Sequence, residues 1–304
     1  MLVVRDLVKV YPGPVAALQS VALDIENGMF GLLGPNGAGK STLMKILAGL
    51  LEPTSGTITL DGVDVLADPR SLAMRLGYLP QEFGFYPHLS GEDMLAFLLR
   101  LKGVHAPSGL MKLARELLAR VNLADAAKRK VKGYSGGMRQ RLGIAQALAG
   151  DPRLIIVDEP TAGLDPEERQ RFYRLLAELA SERIVLLSTH IVEDVAILCP
   201  RFAVIRKGRI VAQTSPSAAL ETLKGRIAEG RPAAGEIDAL RSRYVVTQSL
   251  PFEGHARMRI YCPDGAPPSG FATTQATLED AYFLMMHRAD DAKSGAADAG
   301  TAAA

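Results

Sequence analysis

The sequence predicts an α/β fold: a mainly parallel core sheet, N-terminal antiparallel strands, a helical insertion, and a small α+β appendage at the C-terminal end. Three observations predict it. A complete phosphate-binding loop, Gly34-Pro35-Asn36-Gly37-Ala38-Gly39-Lys40-Ser41, stands between an apolar strand-like run and a helix-like one. Short, wholly apolar runs, Leu154-Ile155-Ile156-Val157, Ile184-Val185-Leu186-Leu187 and Phe202-Ala203-Val204-Ile205, alternate with helical patterns, as parallel strands covered on both faces do. After about residue 221 the composition shifts to Gly, Ala, Pro and Arg.

In chain order, residues 1–28 alternate apolar and polar around Tyr11-Pro12-Gly13-Pro14, which predicts strands joined by a turn. Met29-Phe30-Gly31-Leu32-Leu33 is a buried strand, and Leu43, Ile46, Leu47 and Leu50 fall on one face of the helix behind the loop. The loop's glycines let consecutive N–H groups curl around phosphate oxygens, and the helix start adds its positive dipole end. Lys40 can then reach β- and γ-phosphates, and the Ser41 hydroxyl is placed to ligate Mg²⁺. Thr57-Ile58-Thr59-Leu60 with Asp61-Gly62 gives a further strand and tight turn.

From about residue 87 to 132 the pattern is helical, with Met94, Leu95, Leu98 and Leu101, then Leu110, Leu113, Leu117, Leu118 and Val121 as apolar positions. Tyr134-Ser135-Gly136-Gly137-Met138 opens another helix, a second anion-ready start. One nucleotide does not need two phosphate grips from one subunit, so this segment is expected to read the nucleotide of a neighbouring copy. The strand 154–157 delivers Asp158 and Glu159 to a sheet end, where ligand sites of parallel sheets form. Asp158 can hold Mg²⁺ through water, and Glu159 can accept the proton of a water attacking a γ-phosphate. Asp165 is an N-cap, Pro166 the first helical residue and Glu168 a capping-box partner, with Phe172, Leu175, Leu176 and Leu179 facing the core. Residues 225–235 read as a linker, 244–248 and 258–262 as two strands, 278–287 as a closing helix, and 290–304 as disordered.

The chain has 304 residues with a net charge of +2, so no strong field points to nucleic acid. Cys199 and Cys262 lie far apart without metal-ligand spacing and read as free thiols. No charged start followed by an apolar stretch marks an export signal, and no apolar run approaches the ~18 residues that span a bilayer. Membrane association is therefore expected to come through a partner.

The phosphate loop, Gln81, Ser135-Gly136-Gly137, Asp158-Glu159, Gly163-Leu164-Asp165 and His190 stand in the order of an ATP-binding cassette (ABC) transporter ATPase subunit, which residues 1–220 resemble. The resemblance implies the P-loop ABC ATPase fold, with ATP and Mg²⁺ as ligands. It implies that Tyr11 stacks on adenine, that residues 34–42 (ending in Thr42) hold the phosphates, and that Gln81 contacts Mg²⁺ or the lytic water. It implies Glu159 as base, His190 at the γ-phosphate, Asp165 at the dimer interface, and Ser135-Gly136-Gly137 on the partner's nucleotide. Tyr134 and Met138 depart from the family's usual Leu-Ser-Gly-Gly-Gln, leaving the Ser-Gly-Gly centre intact.

The organisation expected is a cassette over residues 1–220 with a helical subdomain at about 87–133, a linker at 221–243, an appendage at 244–289 and a tail at 290–304. The partners implied are a second copy or a homologous cassette, and a membrane-spanning permease; nucleic acid is not among them. The protein would then sit peripherally on the cytoplasmic face of the membrane. The ending Thr277-Leu278-Glu279-Asp280-Ala281-Tyr282-Phe283 resembles ABC-2-type exporter ATPases. An importer ATPase shares the motifs of the first 220 residues and stays open. A soluble ABC ATPase acting on ribosomes or DNA is disfavoured by the single cassette and the absence of a long heptad run.

Overall fold

The computed structural model describes residues 1–13, 15–81, 84–160, 164–252 and 255–301. They divide into two units, one of residues 1–190 and 207–209, the other of residues 191–206 and 210 onward.

In the first unit, β1 (Leu2–Val10) and β2 (Ala16–Ile25) pair antiparallel, with Leu2 opposite Ile25. β3 (Gly28–Leu33) follows, then the phosphate loop and α1 (Lys40–Leu47). β4 (Ser55–Leu60) returns to the other edge of β1, and β5 (Val63–Asp64) pairs with β4, giving the order β2-β1-β4-β5. The chain continues through α2 (Pro69–Arg75), β6 (Leu76–Leu79), α3 (Gly91–Leu101), α4 (Leu110–Arg120) and α5 (Gly136–Ala147). β7 (Leu154–Asp158), α6 (Pro166–Leu179) and β8 (Ile184–Thr189) complete it.

β3, β8, β7 and β6 form a parallel run, with Leu33 level with Thr189 and Asp158 with Ser188. Leu32, Leu33, Ile156, Val157, Leu186 and Leu187 are fully buried, as strands covered on both faces require. This run brings the ends of β3, β7 and β8 side by side, where the loop, Glu159 and His190 emerge.

Some apolar positions lie elsewhere than the periodicity predicts. Leu50 is 65% exposed because α1 stops at Leu47 with Ala48 as its cap. Leu101 is 68% exposed at the last position of α3, whose core face is Met94, Leu95 and Leu99. Asp165 does cap α6, accepting from the Glu168 N–H at 2.8 Å. The Glu168 side chain does not reach back, because Arg141 of α5 attracts it at 3.4 Å.

The second unit holds α7 (Val192–Leu198), β9 (Arg201–Arg206), β10 (Arg209–Thr214) and α8 (Pro216–Glu221). Then come β11 (Ile227–Gly230), α9 (Ile237–Arg243), β12 (Val245–Phe252), β13 (His255–Tyr261), β14 (Phe271–Thr274) and α10 (Leu278–Thr301). β11 to β14 form an antiparallel sheet in the order β12-β13-β11-β14. The stretch expected as a linker therefore supplies a strand paired on both edges, and α9 packs Ile237 and Leu240 over Ala228, Met258 and Ile260. Residues 290–301, expected to be disordered from their composition, continue α10, in keeping with the high helix propensity of alanine.

Asp280, fully buried, receives Arg259 through Nε (3.1 Å) and Nη2 (2.7 Å), and the Thr247 hydroxyl. Burial alone would raise the Asp280 pKa; the hydrogen bonds from Arg259 and Thr247 prevail and hold it below the usual carboxylate value. Cys199 and Cys262 are buried free thiols, and burial pushes Cys199 up to about 12. Among the described residues no helix is long and apolar enough to cross a membrane.

Candidate functional site

The phosphate loop bends at Gly37 and Gly39, whose φ values are 77° and 110°. At Gly39 a Cβ would lie 2.7 Å from the Ala17 carbonyl oxygen of β2, so only glycine lets the loop lie this close. Gly39 is also the N-cap of α1 and brings no side chain to it, leaving the first-turn N–H groups for an anion.

Lys40 is 4% exposed, and its Nζ donates to the carbonyls of Gly34 (2.7 Å) and Pro35 (3.3 Å). Burial pulls its pKa below the ordinary lysine value, opposed by the nearby carboxylates of Glu159 and Asp158.

Glu159 is where the distant motifs meet. Its Oε1 lies 3.5 Å from Lys40 Nζ and 3.2 Å from His190 Nδ1, and Gln81 Nε2 donates to Oε2 at 3.4 Å. It stands one residue beyond β7 at φ 46°, a conformation rare for residues other than glycine. Its N–H donates to the Ser188 carbonyl of β8 at 2.8 Å, so the neighbouring strand holds the strained backbone in place.

Asp158 ends β7, 5% exposed, and its Oδ1 has no hydrogen-bond partner among the described residues. Burial raises its pKa, against the nearby Ser188 hydroxyl, with the charge of Glu159 adding to the rise and that of Lys40 opposing it. A buried carboxylate oxygen left unpaired is costly and fits a site completed by a cation. Among the described residues no three His, Cys, Asp or Glu side chains converge into a metal cage. A buried carboxylate, a hydroxyl on the cavity wall and a phosphate loop are instead the kinds of donor that suit Mg²⁺, which keeps waters and takes its other ligands from substrate phosphates. Ser41, Gln81 and Asp158 are the residues that could hold it.

The phosphate loop, Gln81 and Glu159 border a cavity of about 500 Å³ that Asp158 and His190 do not line. Its walls are Pro35, Asn36, Gly37 and Gly39 to Thr42, then Gln81 and Glu159, then Val15, Ala16, Ala17 and Gln19. Lys207 and Gly208 complete it. Tyr11 stands beside the end of the loop, its hydroxyl 3.4 Å from Thr42 Oγ1 and its ring 5.5 Å from Lys9 Nζ. Gln19, Lys207 and Gly208 escape the sequence reading; a Lys-Gly pair between strand-like runs signals a hairpin but not where its tip lands.

Ser135 caps α5, its Oγ accepting from the Met138 N–H at 3.2 Å. Ser135 and Gly136 are exposed, and neither they nor Gly137 line the cavity. A Cβ on Gly137 would lie 2.4 Å from Glu168 Oε2, so a larger residue there would have to displace the Glu168 side chain. Gly163 lies outside the described residues.

Residues 18–162 match the family model described as ABC transporter. The uncharacterized ABC transporter ATP-binding protein YxlF of Bacillus subtilis (strain 168) is 42% identical over 212 residues, covering 69% of each chain. The Nod factor export ATP-binding protein I of Burkholderia orbicola (strain AU 1054) is 38% identical over 220 residues, covering 72% of each. ABC transporter A family member 10 of Arabidopsis thaliana is 36% identical over 233 residues, but the match spans only 25% of that longer protein. A solved dimeric ATP-binding cassette, in a post-hydrolysis state bound to ADP and Pi, superposes with a TM-score of 0.64 at 27% identity, covering 71% of this chain and 98% of that one. With the phosphate loop, Gln81 and Glu159 lining one cavity, His190 and Asp158 adjoining Glu159, and relatives of this identity and coverage, the chain belongs to the ABC transporter family as an ATP-binding, ATP-hydrolysing cassette.

Proposed function

We propose that two such cassettes, this chain with a second copy or a homologue, close on two ATP molecules and drive a separate membrane-spanning permease in the export direction from the cytoplasmic face. The observation that carries the reading is a separation. Glu159 gathers Lys40, Gln81 and His190 at the phosphate loop, while the second anion-ready helix start, Ser135-Gly136-Gly137, opens with two exposed residues, Ser135 and Gly136, and lies off the cavity of its own subunit. A second subunit gives that start a nucleotide to read. The dimeric cassette found among similar structures supports the pairing, and the relative named for Nod factor export supports the direction.

Each residue then has a task. Lys40 exchanges its loop carbonyls for the β- and γ-phosphates, and Tyr11 stacks on the adenine. Mg²⁺, when bound, neutralises charge on the phosphate oxygens. Glu159 takes the proton of the attacking water, and His190 holds the γ-phosphate side of the site. Gln81 joins this centre to the helical insertion. Near it Tyr86 (48% exposed) and Phe97 (37%) meet edge to face at 5.7 Å, an aromatic surface suited to a permease segment.

The test is the mass of Glu159→Gln in saturating MgATP by light scattering. A dimer is expected, and adding Ser135→Arg should return it to monomer. A Glu159→Gln protein that stays monomeric with ATP bound would sink the two-copy reading.

A further inference from the structure

We infer that the Lys207-Gly208 turn is a further wall of the nucleotide site, with Gly208 bracing the phosphate loop and Lys207 bringing a second cation to the bound nucleotide. This rests on the nucleotide-binding reading above. Both residues stand at positive φ, 47° and 77°, the backbone of a two-residue hairpin loop whose twist suits the flanking strands.

The turn is fastened on two sides. Gly208 N donates to the Ala38 carbonyl at 2.8 Å, and Gln19 N donates to the Gly208 carbonyl at 2.8 Å. Gln19 Nε2 donates to the Lys207 carbonyl at 2.9 Å, while Gln19 Oε1 accepts from Arg209 Nη2 at 2.9 Å and Nε at 3.1 Å. A Cβ on Gly208 would lie 2.6 Å from the Ala17 carbonyl oxygen, the same oxygen that closes on Gly39. Two glycines thus press loop, β2 and turn together around one backbone atom.

Lys207, exposed beside Gly208, lines the same cavity as Lys40. The turn meets the loop at Ala38 and Gly39, whereas Glu159 stands at the Lys40 ammonium with Gln81 on its other oxygen. Lys207 therefore serves the part of the nucleotide that ATP and ADP share, and the fixed turn limits the entropy lost in placing it.

The experiment is calorimetric titration of wild type, Lys207→Met and Lys207→Arg with ATP and with ADP, at low and high salt. Lys207→Met should weaken both nucleotides alike, by roughly two- to fivefold at low salt. The gap should close at high salt, and Lys207→Arg should restore affinity. Unchanged affinity in Lys207→Met, or a loss confined to ATP, overturns the inference while wild-type binding leaves the nucleotide reading standing. A wild type that binds neither nucleotide overturns both.

Discussion

Replacing Lys40 with alanine tests whether the loop holds a nucleotide as its geometry implies. In the ligand-free chain the ammonium is 4% exposed and already donates to the carbonyls of Gly34 and Pro35. On the proposed binding mode ATP exchanges these neutral acceptors for charged phosphate oxygens, so the mutation forfeits the difference and not the whole contact. Both sets of bonds are charge-assisted through the ammonium, and the phosphate charge adds about the worth of one further charged hydrogen bond, about 1.5–3 kcal/mol. That loss raises Kd roughly 10- to 150-fold. The alanine also leaves the Glu159 carboxylate, 3.5 Å from Nζ in the native chain, to face the incoming phosphates with less positive charge nearby, which places the effect at the upper end. Calorimetric titration with MgATP measures it, with circular dichroism to confirm the fold. A folded Lys40→Ala protein whose Kd stays within about twofold of wild type would refute the assignment of the ammonium to the phosphates.

The remaining predictions concern catalysis, packing and pH. Glu159→Gln retains size and hydrogen bonding but loses the base, so steady-state turnover should fall by roughly 10²- to 10⁴-fold while ATP still binds; near-normal turnover would remove Glu159 from that role. Gly77→Ala would set a Cβ 2.2 Å from the Ala147 carbonyl oxygen at the end of α5, forcing backbone apart at a cost of about 1–3 kcal/mol or more, visible as a lowered Tm. Unchanged melting would show that β6 and α5 are less tightly apposed than the structure has them. Lys102 donates to the carbonyls of Leu76 (2.8 Å) and Ala149 (2.5 Å), and burial lowers its pKa from 10.5 to about 8. The unfolded chain binds the extra proton between those values, so this contribution to stability is fully present above about pH 10.5 and is lost as pH falls through about 8. Denaturant titrations across that window should show the rise in wild type and a flatter profile in Lys102→Met; parallel profiles would mean another group carries it.

Much of the molecule was readable from local pattern, because local pattern is where its physics lies. A strand covered on both faces must be apolar throughout, so residues 154–157 and 184–187 announced β7 and β8. Ser135 and Asp165 announced helix starts because a short oxygen-bearing side chain satisfies an N–H of the first turn. The phosphate loop is likewise local, its glycines and lysine lying within one strand-to-helix turn. The ordered motifs along residues 1–220 carry the family resemblance by themselves.

Tertiary structure decided what depends on closing long stretches of chain. Only the parallel register of β3, β8 and β7 sets Glu159 within reach of both Lys40 and His190, and only the return of residues 207–209 to β2 brings a second lysine to the cavity. It sent Glu168 to Arg141 instead of its own helix start, and it recruited residues 227–230 as a strand where their composition suggested a linker. In each case the deciding partner lies far along the chain, and a side chain's reach is set by three-dimensional packing that a local window of sequence does not contain.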